Sequence, residues 1–408
     1  MTSAGSGTVT IHQTGFGRVA LLGAIAFVSA MGATIVFPLG PFVARDLGVP
    51  LEWAALTSSV FTASAGVGGL IGALFLSRFS RRASLVGSLG GLGLFMLATG
   101  AAPDFVTMLG ARVLAGLCAG PLMAAVLTII VDAVPEERRN RAVSTVTGSY
   151  GLALVLGLPF ALFLSGHLGG WRTPFLALGA GCLALVPPAW RMLAPPPGSQ
   201  PAILPRVTPQ ALLRLLLRPE SLTGLGLIAG ASFATLLISP NISAFALGNA
   251  GVSESGLRLI FLIGGGLALL TTRLTGWAMD RIGPLPASLC VGTAITLVIG
   301  AAFLARLPQA LVVPVLGMVL AVQLARSTVA QGSATRVASP AERITYQCLV
   351  AACTSLAQAL GAGFSTLVLR EAPGGGLWGM EWLALLSILV AWTAPVLVVV
   401  LGRVLPAR

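Results

Sequence analysis

Twelve apolar stretches, separated by short polar connections, constrain this chain more than any other feature of it. A bilayer core is about 30 Å thick and a helix rises about 1.5 Å per residue, so roughly 20 apolar residues cross it. The stretches lie at 18–43, 52–77, 83–102, 105–133, 142–167 and 171–192, and then at 221–248, 254–279, 284–305, 309–336, 344–370 and 376–402. Helices satisfy their backbone internally, which lipid demands of any spanning segment. The expected fold class is an all-α membrane protein of twelve transmembrane helices. Charge supports this: 9% of the 408 residues are charged and 56% hydrophobic, whereas a soluble domain carries about 25% charged residues.

The net charge of +12 arises from 24 Arg and 12 acids, with no Lys. In a soluble protein that balance would point to nucleic acid. In a membrane protein the placement of the charges matters more than their sum, so the partner expected here is the lipid bilayer and not nucleic acid. Seventeen arginines fall on the side of the first residue and of the central connection, and five fall opposite: Arg45, Arg172, Arg258, Arg306 and Arg370. The positive-inside rule then places both termini in the cytoplasm, the expected location being the inner membrane of a bacterium. Residues 1–15 are polar, and the apolar run after them is too long for a signal-peptide core, so the first span is expected to remain as an anchor.

The only long polar connection, 194–220, divides the chain into halves at 1–193 and 221–408. The halves repeat. Pro38 and Pro240 are 202 residues apart, Arg78 and Arg281 are 203 apart, Pro135 and Pro340 are 205 apart, and Trp171 and Trp378 are 207 apart. A near-constant offset over four landmarks indicates an internal duplication. Two parallel repeats place a binding site at their interface near mid-membrane.

Residues in the connections carry a resemblance. Gly276-Trp-Ala-Met-Asp280-Arg281-Ile-Gly283 lies between spans 8 and 9, and its worn copy between spans 2 and 3 keeps Arg78, Arg81 and Arg82 but has Ser77 where the other has Asp280. Span 4 contains Arg112-Val-Leu-Ala-Gly116-Leu-Cys-Ala-Gly120, and span 5 contains Gly148, Tyr150, Gly151, Gly157 and Pro159, followed by Phe160-Ala161. These patterns resemble the major facilitator superfamily of secondary transporters. The chain is most similar to its drug-proton antiporter and arabinose-efflux-permease-like branch, although Phe160-Ala161 stands where that branch has a Gly pair.

The resemblance implies two pseudo-symmetric six-helix bundles that work by alternating access, with no enzymatic activity and no cofactor, as a monomer. It implies proton-coupled efflux of a small organic compound, whether drug-like, sugar-like or another metabolite. An organic-anion importer or exchanger is the alternative within transport, and a transport-inactive membrane sensor is the alternative outside it. It also implies a conformational latch of Gly276, Asp280, Arg281 and Gly283 with Arg78, Arg81 and Arg82. Asp280 is expected to face the start of span 5 near Asn140 to Ala142, a charge-to-helix contact of about 0.3–1 kcal/mol. Ser77 carries no charge, so the latch is expected to be lopsided.

Two arginines, Arg112 and Arg326, fall inside spans, where each costs about 2.5–3.5 kcal/mol on insertion scales. No acid lies deep in any span: Asp46, Glu52, Glu254, Glu371 and Glu381 are near one end and Asp132, Asp280 and Glu342 near the other. Three readings of Arg112 stay open: a part in proton coupling, a structural role bonded to backbone carbonyls and polar neighbours, or contact with an anionic group on the cargo. Arg326, with Gln323 and Gln331 on the same helix, is expected to line the cavity, the alternative being that its long side chain stretches toward the cytoplasm from near the helix end. Tyr150 and Asn241 are further candidates, as are Gln347, Thr354 and Gln358, which recur on one helical face. The five cysteines sit inside apolar runs, the two histidines, His12 and His167, are isolated, and no metal-ligand spacing, catalytic triad or phosphate loop is present.

Overall fold

The computed structural model describes residues 7–75, 80–133, 148–193, 209–338, 342–373 and 375–404. Among them, twelve helices are long and apolar enough to cross a membrane. Spans 1 to 6 are Gly17–Thr34, Leu51–Gly72, Arg81–Gly100, Phe105–Ile130, Gly148–His167 and Arg172–Met192. Spans 7 to 12 are Pro219–Gly248, Glu254–Ile282, Pro284–Phe303, Gln309–Ala334, Thr345–Val368 and Met380–Val404. The end at which span 1 begins and span 12 finishes is called proximal, and the opposite end distal. The fold is all-α and of the two-bundle type: span 4 packs on spans 2 and 3, and span 3 on span 6. In the second half span 10 packs on span 8, span 7 on spans 11 and 12, and span 9 on spans 10 and 12.

Proline explains where the first span of each half breaks. Span 1 stops at Thr34 and the chain resumes as the helix Val36–Asp46, because Pro38 has no N–H for the carbonyl four residues back. Pro240 does the same in span 7, where the helix ending at Ile238 passes through a tight turn at Ser239–Asn241 before Ile242–Gly248. Span 5 is interrupted by a wide π turn over Ala153–Gly157, just ahead of Pro159, a local defect that is frequent at functional sites.

The distal ends of the halves are tied by related clamps. Asp46, at the end of the broken first span, accepts from Nε1 of Trp171 and from Arg172, each at 2.8 Å. Asn249, in the equivalent place of the second half, accepts from the Leu377 amide at 2.8 Å and donates to the Leu377 carbonyl at 2.9 Å. One expectation needs correction. Residues 376–379 do not begin span 12, because Arg370–Glu371 pairs with Leu377–Trp378 as a small antiparallel hairpin, and the positive φ of Gly375 and Gly379 turns the chain there. Within the connection at 194–220 a helix covers Pro209–Leu216 and buries Leu215 against the proximal core of the second half.

The halves meet at the distal end. Ser243 donates to the Phe37 carbonyl at 2.7 Å, Ser59 to the Ala359 carbonyl at 2.7 Å, and the Leu51 amide to Glu371 at 3.2 Å. Spans 5 and 8 touch backbone to backbone, for a Cβ on Gly265 would lie 2.6 Å from Cα of Val155 in the π turn. Only glycine permits that approach.

Candidate functional site

Arg112 is fully enclosed in the first half. Its guanidinium donates to the carbonyls of Gly32, at 2.7 Å, and Thr57, at 3.2 Å, and stacks 4.2 Å over the ring of Phe61. It therefore ties span 4 to spans 1 and 2. Its Nη2 has no hydrogen-bond partner. Backbone carbonyls and an aromatic face supply the negative potential that a carboxylate would otherwise provide.

Arg326 and Gln323 do not line a cavity in this structure, contrary to expectation. They are 3% and 0% exposed. Arg326 donates to Ser387 of span 12 at 3.2 Å, to Thr235 of span 7 at 3.3 Å, and to the Gln323 side chain. The reason is rotational, because Arg326 points about 100° away from its neighbour Ser327 around the helix. Asn241 is also enclosed, and its amide donates to the Leu237 carbonyl and to Ser365 of span 11 at 3.0 Å. These three side chains fasten helices within the second half.

The remaining span 11 candidates are uncharged. On span 11, Gln347 is exposed and Thr354 and Gln358 are half-buried, and they share one face. Leu356, Leu360 and Leu367 are exposed on a face roughly 160° away, which is the lipid side of an apolar-flanked helix. The glutamine face is thus opposed to the apolar face around the helix. Span 10 repeats the arrangement: Leu311 and Met318 are exposed, while Ser327 and the exposed Gln331 lie roughly 150–170° away. Gln331 and Gln347 are exposed at the proximal ends of their spans. Tyr150 is half-buried at the start of the described part of span 5.

The latch residues divide. Arg78 and the expected partner region of Asp280 at 140–142 lie outside the described residues. Asp280 and Arg281 are exposed at the proximal end of span 8, and Arg281 stands 5.3 Å over Trp277. Arg82 stacks at 3.7 Å on Trp190 of span 6, within its own half, and Arg81 is half-buried. Gly283 has φ of 87° and ends the helix, which accounts for a glycine there. A side chain at Gly276 would meet open space.

Two acids at the distal seam were read from sequence only as end charges. Glu52 is 7% exposed with an unpartnered Oε2, and Glu371 reaches the amide next to it. Position next to Pro50 at a span's start suggests only a first-turn acid, so their proximity has no signal in the sequence. At the distal end an open cleft of about 520 Å³ is lined by Arg45, Asp46, Trp171, Glu254 and Arg258 among others. Among the described residues no cluster of three or more His, Cys, Asp or Glu side chains is arranged to hold a metal.

Comparison with known proteins agrees with this architecture. The chain is similar to the inner membrane transport protein YdhP of Escherichia coli, at 28% identity over 198 residues, which is 48% of this chain and 49% of that protein. It thus spans about half the length of that relative. It is 28% identical over 273 residues to a chloramphenicol resistance protein of Streptomyces lividans, covering 62% and 65% of the two chains. It is 30% identical over 234 residues to the 3-(3-hydroxy-phenyl)propionate transporter of Escherichia coli, covering 55% of each. A crystal structure of a bacterial homologue of the human lysosomal transporter Spinster, inward-facing and occupied, superposes with a TM-score of 0.72 at 16% identity, over 95% of this chain and 96% of that one. The sequence profile described as Major Facilitator Superfamily matches residues 22–362, and this chain is a multi-pass membrane protein belonging to that superfamily.

Proposed function

We propose that this transporter exports an uncharged, hydrogen-bonding organic molecule in exchange for protons, cycling between states open at the proximal and distal ends. The observation that carries this reading is the neutral polar surface of Gln347, Thr354, Gln358 and Gln331, while Arg112 and Arg326 are both enclosed. An anionic cargo would need a cation facing it. Resistance to chloramphenicol, a property of relatives, is in keeping with such a surface. The halves 1–193 and 221–408 move as bodies about the connection 194–220, the termini and the proximal end face the cytoplasm of a bacterium, and the working unit is the monomer. Asp280 is the charged part of the cytoplasmic latch.

Purified protein in proteoliposomes, with chloramphenicol as probe and an imposed pH gradient, tests this. Uphill movement of the probe that requires the pH gradient is expected. Flux that needs substrate on the opposite side would establish an exchanger instead, and binding without any flux would establish a sensor. Thermal-shift screening of neutral, acidic and cationic compounds adds the charge preference, since a ligand stabilises the state it binds. Preference for acids would restore the organic-anion reading.

A further inference from the structure

Span 8, Glu254–Ile282, carries a positive charge where its neighbours around the helix are leucines. Its packing contacts fall on one side. Gly264 abuts Leu320 and Thr271 donates to the Ala321 carbonyl at 3.1 Å, both on span 10, while Gly265 and Leu269 abut Val155 and Gly151 on span 5. Between these two neighbours Phe261, Ala268, Thr275 and Met279 are buried. At about 100° per residue, the exposed Leu262, Leu270, Leu274 and Trp277 occupy an arc of about 120° on the opposite side. An apolar arc that neither lateral neighbour covers, on a helix long enough to span, faces lipid.

Arg273 and Arg281 lie on that arc and are exposed. The helix has 29 residues and is about 43 Å long against a bilayer core of about 30 Å, so each end projects by about 6 Å and Arg273 lies about 7 Å inside the proximal boundary. Its stem carries the guanidinium back toward that boundary, as long basic side chains near span ends do. Trp277 follows one turn later, 58% exposed, and Arg281 one turn after that, with its guanidinium 5.3 Å over the Trp277 ring. Two cations and an indole thus form a ladder from the edge of the hydrocarbon to the proximal surface. No described side chain is hydrogen-bonded or ion-paired with either arginine. Asp280, the nearest acid on the helix, is turned about 100° from Arg281 and lies about 10 Å along the axis from Arg273.

A guanidinium at this depth is costly unless an anion meets it. We propose that Arg273, Trp277 and Arg281 form a binding site for the headgroup of an anionic phospholipid of the proximal leaflet, with its acyl chains against Leu262, Leu270 and Leu274. The lipid phosphate accepts charge-assisted hydrogen bonds from the guanidinium groups, and the indole sits at headgroup level, where tryptophan is favoured. A soluble phosphate has nothing to offer the leucines, and in a zwitterionic lipid the ammonium offsets the phosphate charge. An anionic lipid satisfies both parts of the surface. The site lies on the outside of the bundle, and it stands independently of the cargo and of proton coupling.

The test counts lipids bound to the purified full chain by native mass spectrometry, with phosphatidylglycerol or phosphatidylcholine titrated into the detergent-solubilised protein. The parent is expected to bind phosphatidylglycerol more tightly, by about fivefold for each arginine that meets it. Arg273→Gln and Arg281→Gln are each expected to lose about fivefold for phosphatidylglycerol and nothing for phosphatidylcholine. Arg273→Lys is expected to keep most of the preference, and Arg403→Gln, which removes an exposed proximal charge from span 12, to bind as the parent does. Excess glycerol phosphate is expected to leave the lipid in place. Equal affinities for the two lipids in the parent overturn the proposal, as does a loss in Arg403→Gln that matches the loss in Arg273→Gln, the mark of a diffuse surface charge. Displacement by glycerol phosphate overturns it in favour of a site for a soluble anion. Thermal midpoints confirm that each variant is folded, and if Arg273→Gln fails that check, Arg281→Gln at the helix end decides.

Discussion

Adjacent glycines on span 8 offer a direct way to separate motion between the halves from stability within them. A Cβ on Gly265 would stand 2.6 Å from Cα of Val155 and 2.9 Å from the Leu154 carbonyl carbon, both in the other half. Ordinary carbon contacts are about 3.5–4.0 Å, so Gly265→Ala requires the seam to widen by roughly 1 Å. Overpacking of this kind costs about 1–3 kcal/mol. Because the strain lies between the halves, distal opening relieves it, and the closed state should lose about 5- to 150-fold in population. A Cβ on Gly264 would instead meet Cδ1 of Leu320 at 2.7 Å and the Gly317 carbonyl oxygen at 2.9 Å, both in the same half. Opening cannot relieve that clash, so Gly264→Ala should lower the thermal midpoint and leave the conformational equilibrium nearly unchanged. Distances between spin labels across the distal face, together with thermal unfolding, distinguish the two. The reasoning fails if Gly265→Ala leaves the distances as in the parent, or if Gly264→Ala shifts them equally.

Arg112→Lys keeps the charge but cannot hold the carbonyls of both Gly32 and Thr57 with a planar fork; loss of one charge-assisted bond should destabilise by about 1.5–3 kcal/mol, read in thermal unfolding against the parent. Gln358→Ala combined with Gln347→Ala should weaken binding of an uncharged probe by roughly tenfold, one hydrogen bond's worth, with unchanged thermal stability in its absence; unchanged affinity would remove these residues from the cargo surface. Asp104 accepts from the Thr107 amide, which holds its carboxyl below the usual range. Its folded value is therefore the lower one, so the capping contribution is present above the unfolded value and lost as pH falls through the folded value; Asp104→Asn should flatten that part of the stability profile in acid titrations.

Much of the fold is legible along the chain because lipid leaves so few choices. Length and apolarity set the twelve spans, and Pro38 and Pro240 mark helix breaks because a missing N–H acts locally. The polar face of Gln347, Thr354 and Gln358 was visible for the same reason, since helical spacing alone puts them together. The hairpin at Arg370–Glu371 and Leu377–Trp378 was not, since it depends on turns at Gly375 and Gly379.

The parts that depend on rotation and contact came only from the tertiary structure. Arg326 and Gln323 look like cavity residues in a list of polar side chains, yet the helix aims them at Thr235, Ser387 and the span 7 backbone. Glu52 looks like an ordinary acid at a helix start until the second half closes over it and sets Glu371 against its neighbour. The sequence by itself determined that this chain crosses a membrane twelve times as a duplicated unit, because burial in lipid is a property of each segment. Which of its charges are enclosed, and against what, was decided by how the helices pack within each half and where the halves meet, because the cost of a buried charge depends on partners brought by other helices.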